Sequence, residues 1–109
     1  MSVLASLLLK EKNRNEKMII EYNRELKTLP KGSIKPKKVK DKIYYYLIFR
    51  DGDKVITKYV GKDEASLISL REQLVRRKQI DEIIKKLKEE KTQIKKLEAI
   101  LWFYITAVM

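Results

Sequence analysis

Cysteine and histidine are both absent from this chain of 109 residues, and together their absence removes most of the chemistry open to a small protein. Without cysteine there is no disulfide and no thiolate metal ligand, which fits a reducing compartment. Without histidine as well, the usual nucleophile and base pairings cannot be assembled, and zinc would need an all-carboxylate site that the sequence does not offer. No catalytic residue, cofactor or metal is therefore expected. Long hydrophobic runs are also missing. The N-terminal VLASLLL is too short for a membrane span and has no basic leader before it, and the terminal AILWFYITAVM is about half a bilayer span. A cytoplasmic, non-enzymatic protein without a membrane partner is the expectation.

Positive charge is what the chain has in excess. It carries 26 Lys and Arg against 15 Asp and Glu, a formal net charge of +11. That balance says little about fold but favours polyanionic partners, nucleic acid above all, or an acidic protein surface. Its placement is uneven. Residues 31–62 hold ten cations against three acids, whereas residues 1–30 hold six against four and residues 63–109 ten against eight.

The length suits one domain. Residues 1–29 read as a helix, with Ile19, Tyr22, Leu26 and Leu29 at alternating spacings of three and four. Leu4, Leu7 and Leu8 form a second apolar patch, and between the two the polar KEKNRNEK lets the stripe fade, so a break or exposed turn fits there. Pro30 and Gly32 stop the helix. Residues 30–62 form a basic β segment: a connector with at most a short edge strand near Gly32 to Ile34, since Pro36 argues against a long one, then strands at Lys42 to Arg50 and Lys54 to Gly61 joined through Asp51-Gly52-Asp53.

Residues 63–109 read as one helix on the order of 65–70 Å at about 1.5 Å per residue, capped by Asp63. Leu67, Leu70 and Leu74 begin its stripe. From Ile80 a heptad takes over, with Ile80, Leu87, Ile94, Leu101 and Val108 at one core position and Ile83, Glu90, Leu97 and Tyr104 at the other. The two stripes lose phase near Arg76 to Lys78, where a bend would also fit. The fold class is α+β: an N-terminal helix, a small antiparallel hairpin or three-stranded sheet, and a long C-terminal helix forming a helical hairpin or coiled coil.

Register decides how the hairpin presents its side chains. A three-residue loop, Asp51 to Asp53, is preferred to a two-residue one, which would mix Lys54 and Lys58 into the apolar face. It sets Phe49 opposite Val55 and Tyr45 opposite Tyr59 and makes a core face of Ile43, Tyr45, Leu47, Phe49, Val55, Thr57 and Tyr59. The other face then joins Tyr44 and Tyr46 to Arg50, Lys54 and Lys58, a composition suited to phosphates and nucleobases. With the preceding Lys35, Lys37, Lys38, Lys40 and Lys42, these are the candidate nucleic-acid-binding residues. Two plainer readings compete: tyrosines that pack beneath a helix, and edge lysines that deter aggregation. Arg71, Arg76, Arg77 and Lys78 form a second cluster, interleaved with acids as on many helix surfaces. Leu87, Ile94, Leu97, Leu101, Trp102 and Tyr104 are the candidate partner or dimer interface, with packing on Leu4, Leu7 and Leu8 as the internal alternative.

At LPKGSI (Leu29 to Ile34), YYYLIFR (Tyr44 to Arg50) and KYVGK (Lys58 to Lys62) the chain resembles a small uncharacterised prokaryotic domain family associated with mobile elements. The likeness covers about residues 29–85. A similar strand pattern occurs in the N-terminal region of some transposases and, more loosely, in the arm-binding domain of tyrosine recombinases, whose three-stranded sheet enters a DNA groove. The resemblance implies DNA contact through the sheet. It carries over no transposition or recombination chemistry, because those catalytic domains have no counterpart here.

The expected function is a non-catalytic nucleic-acid-binding protein of mobile-element or phage type, binding DNA or RNA through the basic hairpin, with a homodimer through the helices. An anti-CRISPR-like inhibitor of a nucleic-acid-guided nuclease is the alternative, with a coiled-coil adaptor third. The adaptor leaves the basic middle segment without a purpose.

Overall fold

A computed structural model of the protein describes residues 2–61 and 63–108; Lys62, one of the cations of the middle segment, lies outside the described residues, as do both terminal methionines. The elements run α1 (Val3–Leu26), β1 (Ser33–Val39), β2 (Lys42–Asp51), β3 (Lys54–Gly61) and α2 (Glu64–Val108). The fold is α+β. It resolves into two compact units, Met1–Leu26 with Ile80–Met109, and Lys27–Gln79. Helix α2 is continuous for 45 residues through Arg76 to Lys78. The loss of phase there lies next to the point where the helix passes from one unit to the other.

In the first unit α1 and α2 run antiparallel as a helical hairpin. Ser2 Oγ accepts a hydrogen bond from the Ala5 amide at 3.1 Å and caps α1. No break follows in KEKNRNEK. The inward positions Leu8, Lys12, Asn15, Ile19, Tyr22 and Leu26 keep the spacing of three and four straight through it, all buried or half-buried. The stripe does not fade there; it turns polar. Asn15 is only 1% exposed, and its Nδ2 donates to the Leu87 carbonyl oxygen at 2.8 Å. Among the described residues its Oδ1 has no hydrogen-bond partner. Lys12 Nζ meets Glu98 Oε1 at 3.0 Å, and that carboxylate raises the Lys12 pKa above the ordinary lysine value.

The polar partners on α1 also select which side of α2 faces inward. Ile80, Ile84, Leu87 and Ile94 are the buried residues, and Lys91, Glu98 and Leu101 are half-buried. The seam therefore alternates Ile80, Ile84, Leu87, Lys91, Ile94, Glu98, Leu101. The second heptad position lies one residue later than the apolar pattern implies, because Glu98 answers Lys12. Glu90 flanks the seam and receives Arg14 Nη2 at 2.6 Å, while Leu97 and Tyr104 are left 53% and 66% exposed.

In the second unit the strands form one antiparallel sheet in the order β1-β2-β3. The basic connector is thus mostly strand, and β1 runs seven residues through Pro36. An edge strand tolerates the missing N–H of proline when that position faces away from the ladder. The β1–β2 turn, Lys40-Asp41, contains no glycine, and Lys40 itself takes a positive φ of 57°. At the other end, Gly32 of LPKGS adopts φ 119°. A side chain there would collide with the Ile48 carbonyl oxygen and sit 2.9 Å from Phe49 Cβ. Only glycine lets the chain lie this close to β2 as it enters the sheet.

Asp63 begins α2 as expected, its Oδ1 accepting from the Ala65 amide at 3.2 Å and its Oδ2 from Ser66 Oγ at 3.1 Å. Leu67 is buried and Leu70 and Leu74 half-buried, on the side from which Arg71 reaches 5.9 Å from the centre of the Tyr45 ring.

Candidate nucleic-acid interface

The β2–β3 turn is Gly52-Asp53, two residues rather than three, with Asp51 paired to Lys54, Phe49 to Ile56, Leu47 to Lys58 and Tyr46 to Tyr59. Gly52 supplies the positive φ of 61° that such a turn needs. This register corrects the expected faces. Paired residues share a face, so Tyr59 moves to the side of Tyr44 and Tyr46, along with Val55 and Thr57. Lys54 and Lys58 move to the side of Leu47 and Phe49.

The displaced lysines do not spoil the inner face, because β3 is an edge strand and long stems can cover apolar surface while their heads reach water. Lys58 Nζ lies 5.6 Å from the centre of the Phe49 ring. Leu47, at 8% exposure, is the buried residue of the sheet. A bulge between Tyr45 and Tyr46 inserts Val60 into β3 and ends the regular pairing.

On β1, Lys35 pairs with Tyr46 and Lys37 with Tyr44, which puts both lysines on the outer face. Lys42 and Arg50 belong there by the alternation of β2. Lys38 pairs with Ile43 on the inner side, and Lys40 sits in the turn. Of the ten candidate residues, the outer face thus gathers Lys35, Lys37, Lys42, Tyr44, Tyr46 and Arg50, joined by Tyr59. No acidic residue shares it. Within it the rings of Tyr44 and Tyr59 are 6.1 Å apart and those of Tyr46 and Tyr59 5.5 Å, both tilted. Tyr44 and Tyr46 are half-buried, in part by this contact, and Tyr59 remains 55% exposed. Beside them Lys35, Lys37, Tyr46, Ile48 and Thr57 line a shallow depression of about 280 Å³.

A second basic hollow of about 340 Å³ opens on the inner side, lined by Lys27, Lys31, Lys58 and Arg77 around Leu47 and Phe49. Lys31 Nζ lies 6.0 Å from the Phe49 ring centre, and Arg77 Nη1 donates to the Leu29 carbonyl oxygen at 2.8 Å. Arg77 of the mid-helix cluster therefore joins this basic hollow.

The interface candidates on the helices separate in the same way. Leu87 and Ile94 are 5% and 6% exposed, buried in the chain's own hairpin and closed to a partner; this corrects their expected role. Leu101 is half-buried, while Leu97, Trp102 and Tyr104 stay exposed at 53%, 69% and 66%.

These features define a small basic α+β protein whose antiparallel sheet presents a tyrosine-centred cationic face. The chain belongs to the family described as Domain of unknown function (DUF6788), whose model matches residues 8–69. The match takes in the whole sheet and the LPKGS entry to it, and stops before the second half of α2. No curated protein matches the chain, and no solved structure does.

Proposed function

We propose that the protein is a non-catalytic nucleic-acid-binding module that works through the outer face of its sheet. The observation that carries this reading is three tyrosines clustered at 5.5 and 6.1 Å on a strand face with four cations and no acid. Tyr46 and Tyr59 offer rings for bases to stack on, while Lys35, Lys37, Lys42 and Arg50 meet phosphates along the strand. Stacking needs bases free of a duplex, so single strands or opened ends are the preferred ligand.

Labelled single strands, duplexes and structured RNA titrated by fluorescence anisotropy across a salt series test the proposal. Four phosphate contacts on a single strand give a log–log salt slope of about −3. Tyr46→Ala and Tyr59→Ala each weaken binding by ~1–3 kcal/mol, whereas Lys38→Ala, on the other face, changes it little. Absence of binding to every ligand at roughly 100 mM salt, where non-specific contacts are already micromolar or weaker, would sink the reading.

A further inference from the structure

We infer that two copies of this chain pair through an apolar groove at the end of the helical hairpin. The groove, about 770 Å³, lies along one side of the hairpin between Leu4 and Leu7 of α1 and Leu97, Ile100 and Tyr104 of α2. These five side chains are 65%, 53%, 53%, 66% and 66% exposed. They are the residues beside the internal seam rather than in it: the inward shift of the seam to Ile84, Lys91 and Glu98 leaves Leu97 and Tyr104 as a second, exposed stripe among the described residues. On α1, Leu4 and Leu7 continue at helical spacing into Glu11 and Arg14, and Arg14 bridges Glu11 and Glu90. The apolar patch thus ends at a rim that carries both signs of charge.

Three observations favour a second copy as the occupant. Leu4, Leu7, Leu97, Ile100 and Tyr104 are each more than half exposed along one groove, the apolar centre that a standard interface of ~800 Å² per partner needs. The spacing of three and four on both helices is self-complementary, as in hairpins that pair into four-helix bundles. Charge also permits it. The hairpin segments hold eleven Lys and Arg against nine Asp and Glu, while residues 27–79 hold fifteen against six, so two copies meet here with little mutual repulsion. An anionic lipid surface would be served better by a rim of cations than by the mixed one present.

Sedimentation equilibrium of the full chain over micromolar to millimolar concentrations tests the inference. The expected mass is twice the 13.0 kDa of one chain, falling to a single chain in the Leu7→Glu, Ile100→Glu double variant with helical circular dichroism retained. Because the chain has no cysteine, Leu7→Cys, Ile100→Cys and Tyr104→Cys can each be oxidised in otherwise native protein. Crosslinking by at least one of them, and none by Lys88→Cys outside the groove, supports the pairing even if the double variant misfolds. A single-chain mass at every concentration overturns it, as does a dimer that none of the three groove cysteines crosslinks. Co-sedimentation of the monomer with phosphatidylcholine–phosphatidylglycerol vesicles in place of self-association overturns it in favour of lipid.

Discussion

In the helical hairpin two cations are matched across the helices: Lys12 meets Glu98 and Arg14 meets Glu90. On the outer face of the sheet the cations have only tyrosines, a threonine, a serine and aliphatic residues around them. The two units differ little in length, yet most of the net charge of +11 falls on the unit that holds the sheet, residues 27–79. Paired surface charges contribute little to stability and are screened by salt, whereas a one-signed face holds a field that a polyanion can use. What separates the units is not how many charged residues each has but how evenly the two signs are balanced, eleven cations against nine acids in one and fifteen against six in the other.

The largest expected effect strikes the hairpin alone. Ile80 is the most buried apolar side chain, at 0% exposure, and Ile80→Ala should lower stability by about 2–5 kcal/mol in urea denaturation. Nucleic-acid affinity per folded molecule should not change; a parallel loss would erase the distinction between scaffold and binding face. Next comes a change confined to the sheet. Gly32→Ala forces a side chain against the Ile48 carbonyl oxygen at a left-handed backbone position, costing about 2–4 kcal/mol, and here affinity should fall together with stability.

The smallest effect carries the opposite sign. Asn15 buries a carboxamide oxygen without a partner, so Asn15→Leu should leave stability unchanged or raise it by about 1 kcal/mol in thermal unfolding. A loss beyond that would mean that the bond to the Leu87 carbonyl outweighs the stranded oxygen.

Much of this organisation was legible in the residues. The cap at Asp63, the uninterrupted α2 and the core heptad position at Ile80, Leu87 and Ile94 follow from punctuation and period. The second heptad position did not, because counting apolar residues favours Leu97 and Tyr104 over Lys91 and Glu98. Only the partner helix, with Lys12 and Asn15 facing inward, makes a polar seam the better solution. Strand β1 was hidden by Pro36 and by a turn at Lys40-Asp41 that lacks glycine. The division of Tyr44 and Tyr46 from Tyr45 survives the change of register, since alternation along one strand does not depend on the turn. Tyr59 was missed because Asp51-Gly52-Asp53 can close over two residues or three, and keeping Lys54 and Lys58 off the apolar face favours three, one residue of slip moving a whole strand to the other face. The complementary pair Asp51 and Lys54 directly astride Gly52-Asp53 was the available signal.

Pro36 has a consequence for behaviour in a crowd. A basic protein that gathers on a polyanion reaches high local concentration, and open sheet edges then become templates for strand-by-strand fibril growth. Proline in the middle of β1, flanked by Lys35, Lys37 and Lys38, leaves that edge unable to extend a regular ladder, and Lys54 and Lys58 on β3 oppose docking at the other. On the proposed function, copies bound along one nucleic-acid strand would lie with their sheets side by side without joining edge to edge.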